Sequence, residues 1–295
     1  MTENPGPQDP SPLPSPQRGE GGGEGRRTSY RLLVADIDGT LVTSDREITP
    51  RVKDAVRRAQ AKGVRVCLAT GRIWPSAQPY FRVLGADPPA ILYNGGMIYD
   101  FVADKVLRRV PLAYEHARAV LEILREVPQV QPHLYVADRV YTGRVNEFTK
   151  AYRRKDRIHV EEVGDLIAFL PAEPMKILII GPRAHLTTVF ERIAALPLRI
   201  NAVFSEETYL EILPSGSSKG AALVEMANAL RIPLEATIAV GDNLNDLEMI
   251  QAAGLGVAMG NALPELQSQA GYVTSTNDEE GLAEVIHRFI LEQVR

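Results

Sequence analysis

Arg31-Leu32-Leu33-Val34-Ala35-Asp36-Ile37-Asp38-Gly39-Thr40 is the stretch that decides how this chain folds. Its first half is a short, nearly continuous apolar run. Continuous rather than alternating apolarity marks a strand buried on both faces, as in a parallel α/β sheet. Its second half sets two carboxylates and a glycine just past the strand's carboxyl end, where open α/β sheets bind their ligands. Thr49-Pro50 then opens a helix, with Thr49 as N-cap and Pro50 in the first helical position. Val52, Ala55, Val56 and Ala59 follow at helical spacing. Lys62-Gly63 ends the helix and Val64–Ala69 is the next strand, completing a βαβ unit. A further strand, Ala90–Tyr93, runs into Asn94-Gly95-Gly96, and a small hairpin pairs Met97–Tyr99 with Lys105–Leu107.

From about residue 113 the pattern changes to hairpins mixed with helices, which predicts an inserted α+β unit over 113–205. Its elements are a helix at 114–126, strands at Leu134–Val136 and Val140-Tyr141, and a charged helix near 146–156. Strand Lys176–Ile180, helix 184–195 and strands near 199–204 and 209–212 follow. Parallel βα alternation then resumes with a helix from Lys219 to Leu230, strand Thr237–Val240, helix Asp246–Ala253, strand Leu255–Met259 and a last helix over 279–293. The expected architecture is a doubly wound, Rossmann-like core over 29–112 and 206–295, split by the insert. Residues 1–28 stand apart. With six Pro, six Gly and almost no large aliphatics they cannot bury enough apolar surface to offset ordering, so a disordered tail is expected there.

The bulk numbers fit this picture. At roughly 100–200 residues per domain, 295 residues make one large domain or two ordinary ones. With 45% hydrophobic residues a sizeable core is available, and 33 basic against 37 acidic residues argue against a dedicated nucleic-acid binder. A single cysteine, Cys67, excludes an intramolecular disulfide and lies in an apolar run as a small buried hydrophobe. No apolar run approaches the ~18–20 residues that span a bilayer, and no signal core opens the chain, so a cytoplasmic location is expected.

The polar residues at the strand ends converge on one chemistry. Asp36 and Asp38, at i and i+2 on extended chain, point to the same side. Two carboxylates so close repel unless a cation or proton lies between them. With Asp242 of Gly241-Asp242-Asn243-Leu244-Asn245-Asp246 they form a hard, oxygen-only set suited to Mg²⁺. Lys219 and the backbone of Thr70-Gly71 supply the opposite need, donors for a phosphate. Together they read as a phosphoryl-transfer site, where catalysis is mostly positioning and charge stabilisation. Each piece alone has a plainer reading: D-x-D-G-T is also a turn with Asx hydrogen bonds, and Ser218 is also an N-cap. Their joint occurrence in order, each at a strand or helix end, is what turn chemistry does not explain.

The chain resembles the haloacid dehalogenase (HAD) superfamily of phosphatases, specifically the Cof-like type IIB with a C2B cap. The resemblance is carried by Asp36-Ile37-Asp38-Gly39-Thr40, Ala69-Thr70-Gly71-Arg72, Asn94-Gly95-Gly96, Lys219-Gly220 and Gly241-Asp242-Asn243-Leu244-Asn245-Asp246, and covers 30–295. It implies a nucleophilic Asp36 that forms an aspartyl-phosphate, and an Asp38 that acts as acid and then base. It implies Mg²⁺ held by the Asp36 and Asp242 side chains and the Asp38 carbonyl, with Asp246 outside the ligands, orienting metal waters or Lys219. Thr70, Gly71, Lys219 and Asn245 would hold the phosphoryl group, with Arg72 and Asn94 as rim or phosphate contacts. The family usually has Asn-Gly-Ala where this chain has Asn94-Gly95-Gly96. The substrate it implies is a small phosphorylated metabolite, a sugar phosphate or relative, handled by a monomer or homodimer with no nucleic-acid or membrane partner. A phosphomutase of the phosphomannomutase type, needing a bisphosphorylated activator, is the alternative enzyme, and a non-catalytic phosphate-binding module the alternative outside enzymes.

Other residues receive plainer readings. His116, His133, His159, His185 and His287 show no ligand spacing. Arg153-Arg154-Lys155-Asp156-Arg157 reads as a solvated helix face before a substrate-attracting patch. Trp74 serves either packing or the substrate entrance, and Tyr135 and Tyr141 are candidates for a cap sheet facing the site.

Overall fold

The computed structural model describes residues 29–292. The expected tail over 1–28, and the last expected helical residue, 293, lie outside the described residues. Strand Leu32–Ala35 sits inside a five-stranded, all-parallel sheet. The strand order is Tyr272–Val273, Leu255–Ala258, Thr237–Gly241, Leu32–Ala35, Arg65–Leu68. Both faces are covered, which is why the strand reads as unbroken apolar sequence. Leu33 and Ala35 pack with Val52, Val56 and Leu282 of helices Pro50–Ala61 and Gly281–Ile286. Leu32 and Val34 pack with Leu223 and Met226 of helix Lys219–Ala229 on the other face. Thr49 caps the first of these helices by accepting the Val52 N–H. Cys67 is fully buried, and burial pushes its thiol up to about 12.

The chain leaves Leu32–Ala35 toward Arg65–Leu68 on one side and returns through Thr237–Gly241 on the other. The order reverses between Leu32–Ala35 and Thr237–Gly241, the topological switch point at which doubly wound sheets open a crevice. Asp36 and Asp242 follow those two strands directly.

The strand Ala90–Leu92 lies beside the parallel sheet through a single bridge, Ala69 to Ile91, and otherwise pairs antiparallel with Met97–Asp100, which pairs with Lys105–Arg109. The expected hairpin is therefore two-thirds of a three-stranded sheet.

The insert forms a six-stranded, mostly antiparallel sheet in the order Ile200–Glu206, Tyr209–Pro214, Lys176–Ile180, Gln131–Val136, Arg139–Thr142, Val160–Glu162. Strand Tyr209–Pro214 pairs with both Lys176–Ile180 and Ile200–Glu206. A boundary at 205/206 would detach it from its hydrogen-bonded neighbours, so this sheet runs to Pro214. Alternation splits the strands by face. Ile177 and Ile179 pack with Val120, Leu124 and Val189 of helices Tyr114–Arg125 and Arg183–Ala194. Lys176 points to the opposite face, toward the carboxyl end of the parallel sheet.

Candidate active site

A cavity of about 470 Å³ lies between the carboxyl ends of the parallel strands and the Lys176 face of the six-stranded sheet, where helix Glu147–Asp156 also contributes to the lining. Asp36, Asp38, Thr70, Gly71, Arg72, Asp242 and Asn245 all line it. Lys219 is fully buried against Asp36 and is not itself among the lining residues. Its Nζ donates to Asp36 Oδ1 at 2.8 Å and to Asp246 Oδ1 at 2.6 Å. It heads helix Lys219–Ala229, whose N-cap Ser218 accepts the Ala221 N–H at 3.1 Å, so the plain capping reading of Ser218 holds as well.

Asp246 is buried and fully engaged. Its second oxygen accepts the Asp242 and Asn243 N–H groups at 3.0 and 3.2 Å, shaping the turn that presents Asp242. Thr40 donates to Asp242 Oδ1 at 2.8 Å. Gly39 lies at φ +76°, and a Cβ there would come 2.4 Å from Asp242 Oδ2. Only glycine fits both demands. Gly95 meets a similar constraint, since at φ +92° its Cβ would fall 2.0 Å from the Ser218 carbonyl oxygen at the head of the Lys219 helix.

Oxygens of Asp36, Asp242 and Asp246 lie within 4.8 Å of one another. Burial, reinforced by the Asp246 and Asp38 carboxylates, pushes Asp36 up to about 7 despite the Lys219 ammonium. Burial, reinforced by the Asp36 and Asp246 carboxylates, pushes Asp242 well up. Among the described residues no hydrogen bond reaches Asp36 Oδ2 or Asp242 Oδ2. Two oxygens without donors, in a cluster holding one ammonium among three carboxylates, fit a hard divalent cation. Asp246, committed to Lys219 and two amides, fits the place outside the ligands.

Asp38 is held by a different group. Arg72 donates from Nε to Asp38 Oδ2 at 2.7 Å and from Nη2 to Oδ1 at 2.6 Å. Burial would raise the Asp38 carboxyl, but the Arg72 hydrogen bonds and charge, with Arg46 and Lys155 nearby, bring it below the usual range. The Arg72 guanidinium, expected at the phosphate or rim, is thus directed to Asp38 and to Ser76 Oγ at 2.8 Å. Asn94 is buried. Its side-chain oxygen accepts from Asn245 Nδ2 at 3.0 Å, so it acts on Asn245, and it is not among the residues lining the main cavity.

Several cleft residues carry no motif. Arg46 reaches from the loop after Thr43 to Asp156 Oδ1 at 3.3 Å, and also bonds the Lys155 carbonyl. Lys176 bridges the two sheets, donating to Glu211 Oε2 at 2.6 Å and to the Gly71 carbonyl at 2.7 Å. The run 153–157 divides: Arg154 and Arg157 are exposed, whereas Lys155 and Asp156 line the cavity, so the solvated-face reading fails for those two. Tyr135 lines the cavity, while Tyr141 packs against Phe169 on the far face. Trp74 stacks on Phe101 beside Tyr99, away from the cleft, which settles its role as packing. His133 is buried, shares a hydrogen bond with Thr149, and burial lowers it to about 3.

The profile of the haloacid dehalogenase-like hydrolase family matches residues 33–286. The phosphatase YwpJ of Bacillus subtilis (strain 168) is 30% identical over 290 residues, covering 88% of this chain and 100% of its own length. The pyridoxal phosphate phosphatase YbhA of Escherichia coli (strain K12) is 29% identical over 270 residues, covering 88% and 99%. A solved haloacid dehalogenase-like hydrolase from Bacteroides thetaiotaomicron superposes with a TM-score of 0.79 at 31% identity, over 88% of this chain and 99% of that one. This chain therefore belongs to the haloacid dehalogenase-like hydrolases. Its fold is also that of a HAD subclass IIB sugar phosphatase, at a TM-score of 0.77 and 23% identity over 88% and 99% of the two chains. Among the described residues no helix is long and apolar enough to cross a membrane.

Proposed function

We propose that this chain is a Mg²⁺-dependent phosphomonoesterase that works through an aspartyl-phosphate on Asp36. The observation that carries this reading is the state of Asp36. It lies at the switch point with one oxygen fixed by Lys219, no hydrogen bond to the other among the described residues, and a carboxylate oxygen within 4.8 Å of those of Asp242 and Asp246. A carboxylate so oriented is a nucleophile aimed into the cleft.

Asp36 attacks phosphorus, the bond to the ester oxygen breaks, and the leaving alcohol takes a proton from Asp38. A water then attacks the aspartyl-phosphate, gives its proton to Asp38, and releases phosphate. Held by Arg72, Asp38 is ionised, the form that accepts the water's proton. Donation to the leaving oxygen requires that Asp38 first loosen from Arg72 and take up a proton. Thr70 lines the cleft, with its oxygen accepting the Arg72 N–H at 3.1 Å, which leaves its hydroxyl proton to donate. Together with the Gly71 amide, Lys219 and Asn245 it would hold the phosphoryl oxygens. Mg²⁺ held by Asp36, Asp242 and the Asp38 carbonyl would neutralise charge on the transferring group.

The test is phosphate release from a panel of small phosphate monoesters, with Mg²⁺ or with EDTA, using Asp36→Asn as control. Release that requires both the metal and Asp36 is the expected result. Release that survives Asp36→Asn overturns the assignment.

A further inference from the structure

The wall of the cleft opposite Asp36 holds six charged side chains, and they are mutually paired. Lys155 bonds Glu206 through both carboxylate oxygens and lies 4.5 Å from the Tyr209 ring centre. Lys176 is buried against Glu211, donates also to the Gly71 carbonyl and lies 4.7 Å from the Tyr135 ring centre. Arg46 faces Asp156 at 3.3 Å and Asp38 at 3.9 Å. Among the described residues, every cation of this wall already faces a carboxylate, and the whole lining carries seven carboxylates against four cations.

We propose that this paired wall makes the enzyme selective for phosphate esters whose alcohol carries no second anionic group, and that Glu206 and Glu211 are the residues that impose the selection. The inference rests on the phosphomonoesterase reading for the placement of the transferred phosphate near Asp36. A second phosphate or a carboxylate on the leaving group would reach a surface with no free cation. It would have to displace Glu206 from Lys155 or Glu211 from Lys176, and the freed carboxylate would remain in the same confined space. A hydroxyl-bearing alcohol makes no such demand. Carboxylate oxygens accept from its hydroxyls, and the Lys155 ammonium still has donors to share. Lys176 is less available, since its bonds to Glu211 and Gly71 also tie the two sheets together. Selection against a second anion also runs against a mutase that depends on a bisphosphate.

The test compares matched pairs: a hexose 6-phosphate with its 1,6-bisphosphate, and glycerol 3-phosphate with 3-phosphoglycerate. The ratio of kcat/KM within each pair is measured for the wild type, Glu206→Gln and Glu211→Gln. The wild type should favour the singly anionic member by about tenfold or more. Glu206→Gln, which leaves Lys155 charged and unpaired, should narrow the ratio several-fold, chiefly through a lower KM for the doubly anionic member. Equal or inverted ratios in the wild type, or a ratio unmoved by Glu206→Gln, overturn the proposal. Glu206 is half exposed, so its variant folds even if the buried Glu211→Gln does not. If no pair is turned over in an Asp36-dependent way, the phosphomonoesterase reading fails by itself. Calorimetric binding of the same pairs to Asp36→Asn protein with Mg²⁺ then still ranks them. Tighter binding of the singly anionic members supports the selection, and anything else overturns it.

Discussion

Arg72 grips Asp38 with two parallel hydrogen bonds of 2.7 and 2.6 Å, one to each carboxylate oxygen. This fork fixes both the direction and the charge of the group assigned to proton transfer. Arg72→Ala should therefore lower kcat by roughly 10- to 100-fold, within the range a positioned acid–base group contributes. Arg72→Lys should recover little, because an ammonium cannot reproduce the planar fork. Steady-state kinetics decide the point. A change confined to KM would place Arg72 on the substrate phosphate instead.

Thr40 and Gly39 set the posture of Asp242. Thr40→Val removes the only donor to the Asp242 carboxylate among the described residues and should weaken Mg²⁺ activation by roughly tenfold, the usual cost of losing such a support. Gly39→Ala should be more severe. The backbone lies at φ +76° and the new methyl would collide with Asp242, so a loss of about 1–3 kcal/mol of stability and of nearly all metal-dependent activity is expected. Thermal melting and Mg²⁺ titration of the two variants separate the effects, with Thr40→Val melting near the wild type.

The strand ends were legible because parallel strands advertise themselves. Leu32–Ala35 is apolar on both faces, so the first charged residues after it had to lie at the sheet's edge, and Asp36 does. Thr49-Pro50 and Ser218-Lys219 carry local capping chemistry that needs no tertiary information. The opposite wall was not legible. Lys176 begins an otherwise apolar strand, and the face it takes depends on pairing with Tyr209–Pro214 more than thirty residues away. Lys155 and Asp156 lie in a charge run whose polar neighbours do face solvent, and only the reach of Arg46 across 110 residues reveals their direction. The strand expected at 209–212 is present as Tyr209–Pro214, but a boundary at 205 leaves it with the core, whereas hydrogen bonding places it in the insert.

Among the described residues Lys219 is the sole cation touching Asp36 and Asp246, and it is completely buried. Lys219→Met keeps the length of the side chain and removes the charge. Breaking a buried ion pair from one side costs about 3–5 kcal/mol, because the remaining carboxylates stay out of water without a partner. The loss should be smaller at pH 5 than at pH 8, since the stranded carboxylates take up protons at the lower pH. Urea unfolding at the two pH values measures it, and a variant as stable as the wild type at pH 8 would contradict the buried triad.

The acidic cluster makes stability depend on pH and metal together. Burial raises Asp36 from an ordinary aspartate value to about 7 in the folded protein, and Asp242 shifts the same way. Between about pH 4 and pH 7 the folded chain therefore binds protons that the unfolded chain has already lost, so stability falls as pH rises through that window. Asp38, lowered by Arg72, acts in the opposite direction, and its contribution disappears only in more acidic solution. In EDTA the melting temperature should be higher at pH 6 than at pH 8. Added Mg²⁺ replaces the protons as counter-charge and binds only the folded form, so it should raise the melting temperature more at pH 8 than at pH 6. A scanning-calorimetry series over both pH values, with and without the metal, reads all four states. In Asp242→Asn protein, which has lost one of the repelling carboxylates, the fall in EDTA should shrink and most of the Mg²⁺ increment should vanish.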